Sequence, residues 1–317
     1  MMLVNPHCLW NTLMLTYTAL ADKARIFQNF TGLTPAAFAT LLPTFGSAYV
    51  TGLAGRATQR STLRQRQPGA GRPATLATPE DKLLFILFYF KFYPTQALLG
   101  FMFGISQPQA NVWIHLLTPV LNAALGRQQQ LPARKATALM QVLEACPGLE
   151  FIIDGTERPI QRPHDTERQK QFYSGKKKRH TVKNIVITEK RTKKIKGLSR
   201  TGPGKTHDKT ATDEANYHFP PDSIVYKDTG FQGYEPAGVT TRQPKKKPRK
   251  GALTEEERAE NQAISRQRIG VEHSIGGTKV YRIVHDVYRN HRPNYADLVM
   301  ETACGLHNLR CDFRCTA

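Results

Sequence analysis

Through the first half of the chain, apolar residues recur at helical rather than strand spacing. Thr34 ahead of Pro35 makes a helix start, the threonine as N-cap and the proline at the first helical position, where its missing N–H costs nothing. Phe38, Leu41 and Leu42 then follow at helical spacing. Thr78-Pro79-Glu80-Asp81 is a second capped start and leads into the apolar helix Lys82–Phe92. A short helix from Thr95 to about Phe101 then meets a turn at Gly104, and another begins at Ser106. Ser106 and Gln109 form a capping box, with Pro108 in the tolerant first turn.

Helix, glycine turn and capped helix make the helix-turn-helix arrangement, in which the start of the second helix faces the major groove of DNA. That end offers Gln107, Gln109 and Asn111, whose amides can pair bidentately with adenine. Ala110, Val112, Ile114 and Leu117 are expected in the core, and Trp113 with them. A plain helical hairpin would show the same spacing. The second helix, read to Leu117, carries no Lys or Arg. Phosphate contacts would therefore fall to Arg56, Arg60, Arg64, Arg66 and Arg72, in a polar stretch that reads as a linker or a DNA-contacting arm.

From about Leu149 the period changes. Leu149–Asp154 is a buried apolar strand ending on a carboxylate, and His180–Thr188 and Lys193–Ser199 read as two more strands about a turn. Thr206–Tyr217 is a capped helix, and Pro221–Asp228 a fourth strand that again ends on a carboxylate. A long helical stretch, with a break allowed for, runs from about Thr254 to Tyr281. The order β-β-β-α-β-α gives an α/β fold, a mixed sheet with flanking helices, preceded by an all-α part. The chain thus divides into an N-terminal helical segment (1–55), a helix-turn-helix domain (56–145) and an α/β domain (146–317).

Composition sharpens this picture. The 317 residues include 45 Lys+Arg against 25 Asp+Glu, a net charge of +20. Residues 1–55 hold only Lys23 and Arg25 as basic groups, whereas Glu157–Lys209 holds 17 Lys+Arg against 5 Asp+Glu. There the charges alternate with strand-like apolar residues, so the stretch reads as structured positive surface facing a phosphate backbone. The run Arg242–Lys250, with two prolines, reads as a loop. No stretch reaches the ~18 uninterrupted apolar residues that span a bilayer, and no secretory signal is evident. Five scattered cysteines fit a reducing compartment better than a disulfide framework.

Asp154 and Asp228 each follow an apolar strand and stand just before a glycine, and Glu272 lies on the long helix. Asp-Gly after a strand is an ordinary turn signal. Three such carboxylates clustered on a basic surface would instead bind two hard divalent cations, which activate a water or a 3′ hydroxyl and stabilise the leaving oxygen of a phosphodiester. Cys304, His307, Cys311 and Cys315 invite a zinc reading, but if the stretch is helical they fall near one apolar face with Leu306 and Leu309, and core packing explains them. His273 reads as a packing or second-shell histidine, and Lys176–Arg179 as a solvated hairpin tip.

These residues resemble the DDE transposases of bacterial insertion sequences, in the insertion sequence five, Harbinger-like branch. The resemblance covers roughly Leu33 to Arg314 and rests on Ile152-Ile-Asp154-Gly-Thr-Glu-Arg-Pro-Ile160, Tyr226-Lys-Asp228-Thr-Gly-Phe-Gln-Gly-Tyr234 and Arg268-Ile-Gly-Val-Glu272-His-Ser-Ile-Gly-Gly-Thr-Lys279. Arg268, Glu272 and Lys279 match the related Tyr-x2-Arg-x3-Glu-x6-Lys signature and share a helical face, while Ser265 stands at its tyrosine position. Gly276-Gly277 also departs from a good helix former and would loosen the helix by ~1 kcal/mol per glycine. In Gly202-x-Gly204-x-Thr206-His207-Asp208, similar to another family segment, Asp208 is expected to cap a helix.

The resemblance implies a ribonuclease-H-like catalytic domain using Mg²⁺, with Mn²⁺ able to substitute. Asp154, Asp228 and Glu272 would be the catalytic, metal-holding carboxylates, and Arg158, Arg268 and Lys279 would position phosphates. It implies a transposase that binds terminal inverted repeats, cleaves DNA at the element's ends and joins the freed 3′ hydroxyls to target DNA. The protein would act as at least a homodimer on double-stranded DNA, at the nucleoid in the bacterial cytoplasm, with no membrane role. The alternatives are a metal-dependent nuclease of the same fold and a transposase-derived DNA-binding protein without catalysis.

Overall fold

The computed structural model describes residues 14–59, 75–248 and 251–314, with side chains to residue 53 in the first span. The chain folds into two compact units, one running to Gln130 and taking in Tyr281–Ile283, the other Leu131–Val280 with the chain from Val284. The boundary anticipated at residue 55 does not separate compact units, because the long helix before it packs on the helix-turn-helix and shares its unit.

The first unit contains α1 (Tyr17–Leu20), α2 (Ala24–Thr31), α3 (Pro35–Gln59), α4 (Pro79–Phe92), α5 (Gln96–Phe103) and α6 (Gln107–Arg127). Thr34 caps α3 by accepting the Ala37 N–H at 3.2 Å, and Phe38, Leu41, Phe45 and Ala48, spaced by three or four, are buried. By length and composition Pro35–Leu53 could cross a membrane, although polar residues interrupt its apolar run; its buried stripe faces the other helices of this unit. In α4 every residue from Leu83 to Phe90 is buried, so it is the central helix, apolar on all sides.

α5 ends on Gly104 at φ +63°, a left-handed position that suits glycine, and α6 opens with the expected capping box between Ser106 and Gln109. The helix-turn-helix is thus present, and α6 runs ten residues beyond the sequence reading to Arg127, which bonds Ser47 at 2.9 Å. Val112 does not face the core: it is 62% exposed. Trp113 is half-buried, with the Lys82 ammonium 5.7 Å from the ring centre. Arg60, Arg64, Arg66 and Arg72 lie outside the described residues, as does the Arg56 side chain.

The second unit holds α7 (Ala136–Glu144), β1 (Glu150–Pro159), α8 (Thr166–Phe172), β2 (Tyr173–Ser174), β3 (Arg179–Glu189), β4 (Ile195–Leu198), β5 (Gly202–Pro203), α9 (Asp208–Ala215), β6 (Ile224–Tyr226), β7 (Thr240–Arg242), α10 (Glu255–Lys279) and α11 (Tyr295–Asp312). The sheet order is β2-β3-β1-β6-β7, with β4 and β5 also on β3. β1 runs antiparallel to β3 and parallel to β6, which is parallel to β7. Phe151, Ile153, Ile185, Ile187 and Val225 bury one face of the sheet against Leu139 and Leu143 of α7 and against Phe219 and Phe231. α10 packs on β1 and β6, where Ile152, of the alternate register, meets Gly270. This mixed sheet with flanking helices is consistent with a ribonuclease-H-like fold.

The expected strands and long helix all form, whereas α7, α8, β2, β5 and β7 carried no periodic signal long enough to read. α10 is continuous through Gly276-Gly277, because Gly277 provides space: a Cβ there would stand 2.4 Å from Nδ1 of His307 on α11. That histidine is buried among packed groups, its Nε2 3.0 Å from the Lys193 carbonyl oxygen and 3.5 Å from Cys311 Sγ. Cys304 and Cys311 are buried free thiols, and no metal-holding group of three His, Cys, Asp or Glu occurs among the described residues. Cys315 lies outside them.

Candidate active site

Parallel neighbours bring two aspartates to one level of the sheet. β1 and β6 are parallel, and the last matched pair is Ile152 with Tyr226. Asp154 and Asp228 both stand two residues further on, so equal offsets carry them to the same level, where β6 has ended. The strand expected to stop at Asp154 instead continues to Pro159, paired with β3. Ile152 faces α10, and Asp154, two positions later, keeps that face. α10 in turn supplies Arg268 and, one turn on, Glu272. All three carboxylates line one cleft of about 650 Å³, together with Lys279, Glu157, Lys176, Lys177, Lys183, Thr206 and Asp208.

The electrostatics of the cleft are mixed. Burial pushes the Asp154 carboxyl up to about 6, opposed by Arg268 and by the Gly155 N–H, which donates at 2.8 Å, while the charges of Asp228 and Asp208 add to the rise. Asp228 begins the 3₁₀ turn Thr229–Phe231 and accepts the Thr229 N–H. Its Oδ1 lies 3.6 Å from Arg268 Nη1. Glu272 is exposed. Lys279 is half-buried, and desolvation together with the charge of Lys177 holds its ammonium below the usual lysine range.

Arg158 is elsewhere. It is 1% exposed, and its guanidinium donates to Asn184 Oδ1 at 2.8 Å, Thr201 Oγ1 at 3.1 Å and the Ala296 carbonyl at 3.2 Å. It ties β1 to β3 and to the start of α11, so it cannot reach a phosphate, contrary to the expectation from sequence. Asp208 also departs from its expected part: the N-cap of α9 is His207, and the Asp208 carboxylate turns into the cleft, 2.9 Å from Lys183 Nζ. Lys176 and Lys177, read as a solvated hairpin tip, line the cleft. Sequence reasoning overlooked them because a basic run in a turn looks the same whether or not a cleft lies beneath it. His273 is exposed rather than packed.

In the helix-turn-helix, Gln107 is exposed with its amide on Gln96, and Asn111 is half-buried. Gln109 accepts at its amide oxygen from the Ser106 N–H at 3.0 Å, so a bidentate base contact would have to break the cap.

Could these carboxylates hold divalent ions? Among the described residues no three metal-holding groups converge on one point, and Asp154, Asp228 and Glu272 share the cleft lining. Mg²⁺ takes one or two carboxylates, with water and phosphate oxygens completing the shell, so the donor set fits. Burial is what chiefly raises the Asp154 carboxyl, and a cation beside it would favour its charged form.

Two aspartates at one level of neighbouring parallel strands with a helical glutamate, preceded by a helix-turn-helix, define a class, and comparison with known proteins agrees. Residues 153–308 match the family described as DDE superfamily endonuclease, and residues 74–127 match the helix-turn-helix of DDE superfamily endonuclease. Together these matches support a DDE transposase of insertion sequences. Among curated proteins it is similar to the probable transposase for insertion sequence element IS702 of Microchaete diplosiphon, 29% identical over 245 residues, covering 77% of this chain and 84% of that protein. No solved structure matches it.

Proposed function

We propose that this chain binds the terminal inverted repeats of its own mobile element, cleaves the DNA at the element's ends and joins the freed 3′ hydroxyls to target DNA by in-line transesterification. The observation that carries the reading is the meeting of Asp154, Asp228 and Glu272 in one lysine-bordered cleft. A pair of bound Mg²⁺ ions, or Mn²⁺ in their place, would supply an activated water or 3′ hydroxyl and stabilise the leaving oxygen. Asp154 on β1 and Asp228 just past β6 would hold the ions, and Glu272 would complete the set from α10. Arg268, now beside Asp228, and Lys279, Lys176 and Lys177 hold the phosphates on either side of the scissile bond. Gln107 and Asn111 read bases from α6, while Gln109 holds the helix start. Two ends must be kept together during joining, so the working form is at least a dimer on DNA, acting at the nucleoid.

The test is incubation of the purified chain with a labelled duplex carrying the element's end, in Mg²⁺ or in EDTA, beside Asp154→Asn. Metal-dependent nicking that the variant lacks, followed by joined products, is expected. Nicking with no joined product would select a nuclease, and binding without cutting in either protein would leave a DNA-binding relic.

A further inference from the structure

The loop and helix start at Thr206–Asp208 bring a further carboxylate to the cleft, and two observations give it a part. First, Asp208 is packed between Gly155 of β1 and Gly230 of the turn after Asp228. A Cβ on Gly155 would lie 2.5 Å from Asp208 Oδ1, and one on Gly230 would lie 2.8 Å from Oδ2. Each position therefore needs a glycine because the same carboxylate lies against it. Second, Asp208 is clamped. Lys183, 9% exposed on the central strand β3, sits 2.9 Å from its Oδ1, donates to the Thr206 carbonyl at 2.7 Å and lies 3.8 Å from Glu157. One ammonium faces two carboxylates, so a net negative charge remains beside Gly155 and Gly230.

We infer that Asp208 is a positioning residue for the site: its carboxylate, fixed by Lys183, sets the spacing between β1 at Asp154 and the turn that follows Asp228, and raises the cleft's affinity for divalent cations without itself ligating them. Its oxygens lie against Lys183 and the two glycines, which leaves ligation to Asp154, Asp228 and Glu272. The inference deepens the proposed function and rests on that reading of the carboxylates.

Binding of Mn²⁺ to the full chain without DNA, measured by calorimetry, tests it, with thermal melting run alongside. Asp208→Asn keeps shape and packing and removes charge; Asp208→Glu keeps charge but lengthens the arm; Asp154→Asn is the reference. Asp208→Asn should weaken Mn²⁺ binding roughly tenfold or more, the usual cost of losing an outer partner of a metal site, while its melting temperature stays near that of the wild type. Asp208→Glu should bind more weakly than the wild type because the longer arm cannot fit between the glycines, and should melt lower. Wild-type Mn²⁺ affinity in a well-folded Asp208→Asn would overturn the inference. Loss of Mn²⁺ binding in Asp208→Asn only in step with a lowered melting temperature would make Asp208 a packing residue and overturn it too. If Asp154→Asn binds Mn²⁺ as the wild type does, the reading of the carboxylates fails first, and this inference falls with it.

Discussion

A single buried carboxyl shows how the site trades stability for chemistry. The Asp154 carboxyl ionises at 3.8 in an unfolded chain and at about 6 in the fold. Between those values the folded state keeps a proton that the unfolded state has lost, so this group's contribution to stability falls as pH rises from about 4 to about 6 and stays lost above. At neutral pH the metal-free protein carries a cost of up to about 3 kcal/mol at this one position. Asp154→Asn should therefore make the metal-free protein more stable at pH 7, by an amount of that order, and should shrink the difference between pH 4 and pH 7. Denaturant unfolding at the two pH values, with EDTA present, checks it; a variant less stable than the wild type at pH 7 would contradict the account. Arg158 teaches the converse. An arginine four residues past a candidate catalytic aspartate looks like a phosphate ligand, and alternation along β1 gives it the same face, yet Asn184, Thr201 and the Ala296 carbonyl hold it in the interior.

At the scale of elements, local chemistry decides most of the helix starts. Thr34, Thr78, Ser106 and Thr254 each accept a backbone N–H from the residue three positions on. The capping box at Ser106 has a functional side, since it fixes the first turn of the helix that would enter DNA. Ser106→Ala should lower the stability of the helical unit by ~1 kcal/mol. It also removes one of the two Ser106 groups that hold the Gln109 amide, the hydroxyl, while the backbone N–H remains, so binding to the element's end should change in sequence preference more than in affinity. Melting followed by circular dichroism, and competition binding with altered end sequences, read the two effects separately. The elements missed in the sequence are short or half-exposed: β2 and β5 span two residues each and exist only because β3 offers a partner.

For the whole molecule, the surplus of 20 positive charges is unevenly spread, and the fold aims part of it. Lys176 and Lys177 border the acidic cleft, with Lys279 across from them on α10. A duplex laid over the carboxylates would meet this rim, and its binding should weaken steeply with salt. The double variant Lys176→Ala/Lys177→Ala should bind more weakly and reduce the slope of log affinity against log salt by up to about two, one for each phosphate that no longer has a lysine beside it. Titration of a fluorescent duplex over a range of salt concentrations, in EDTA to prevent cutting, measures it. An unchanged slope would mean that the two lysines lie off the DNA path.

The sequence by itself determined the order of helices and strands and the capped helix-turn-helix, and it singled out three candidate carboxylates, because caps, apolar periodicity and Asp-Gly punctuation are local signals written in a few adjacent residues. Only the tertiary structure decided that Asp154 and Asp228 stand at one level of the sheet, since that follows from β1 lying parallel to β6 with Ile152 opposite Tyr226, a pairing across 74 positions that no local pattern records. The same holds for Asp208, Lys183, Lys176 and Lys177, which are ordinary polar residues in sequence and become part of the cleft through packing. It holds in reverse for Arg158 and Val112, one drawn into the interior and the other turned out of it, because burial is settled by which neighbour arrives and not by the residue alone.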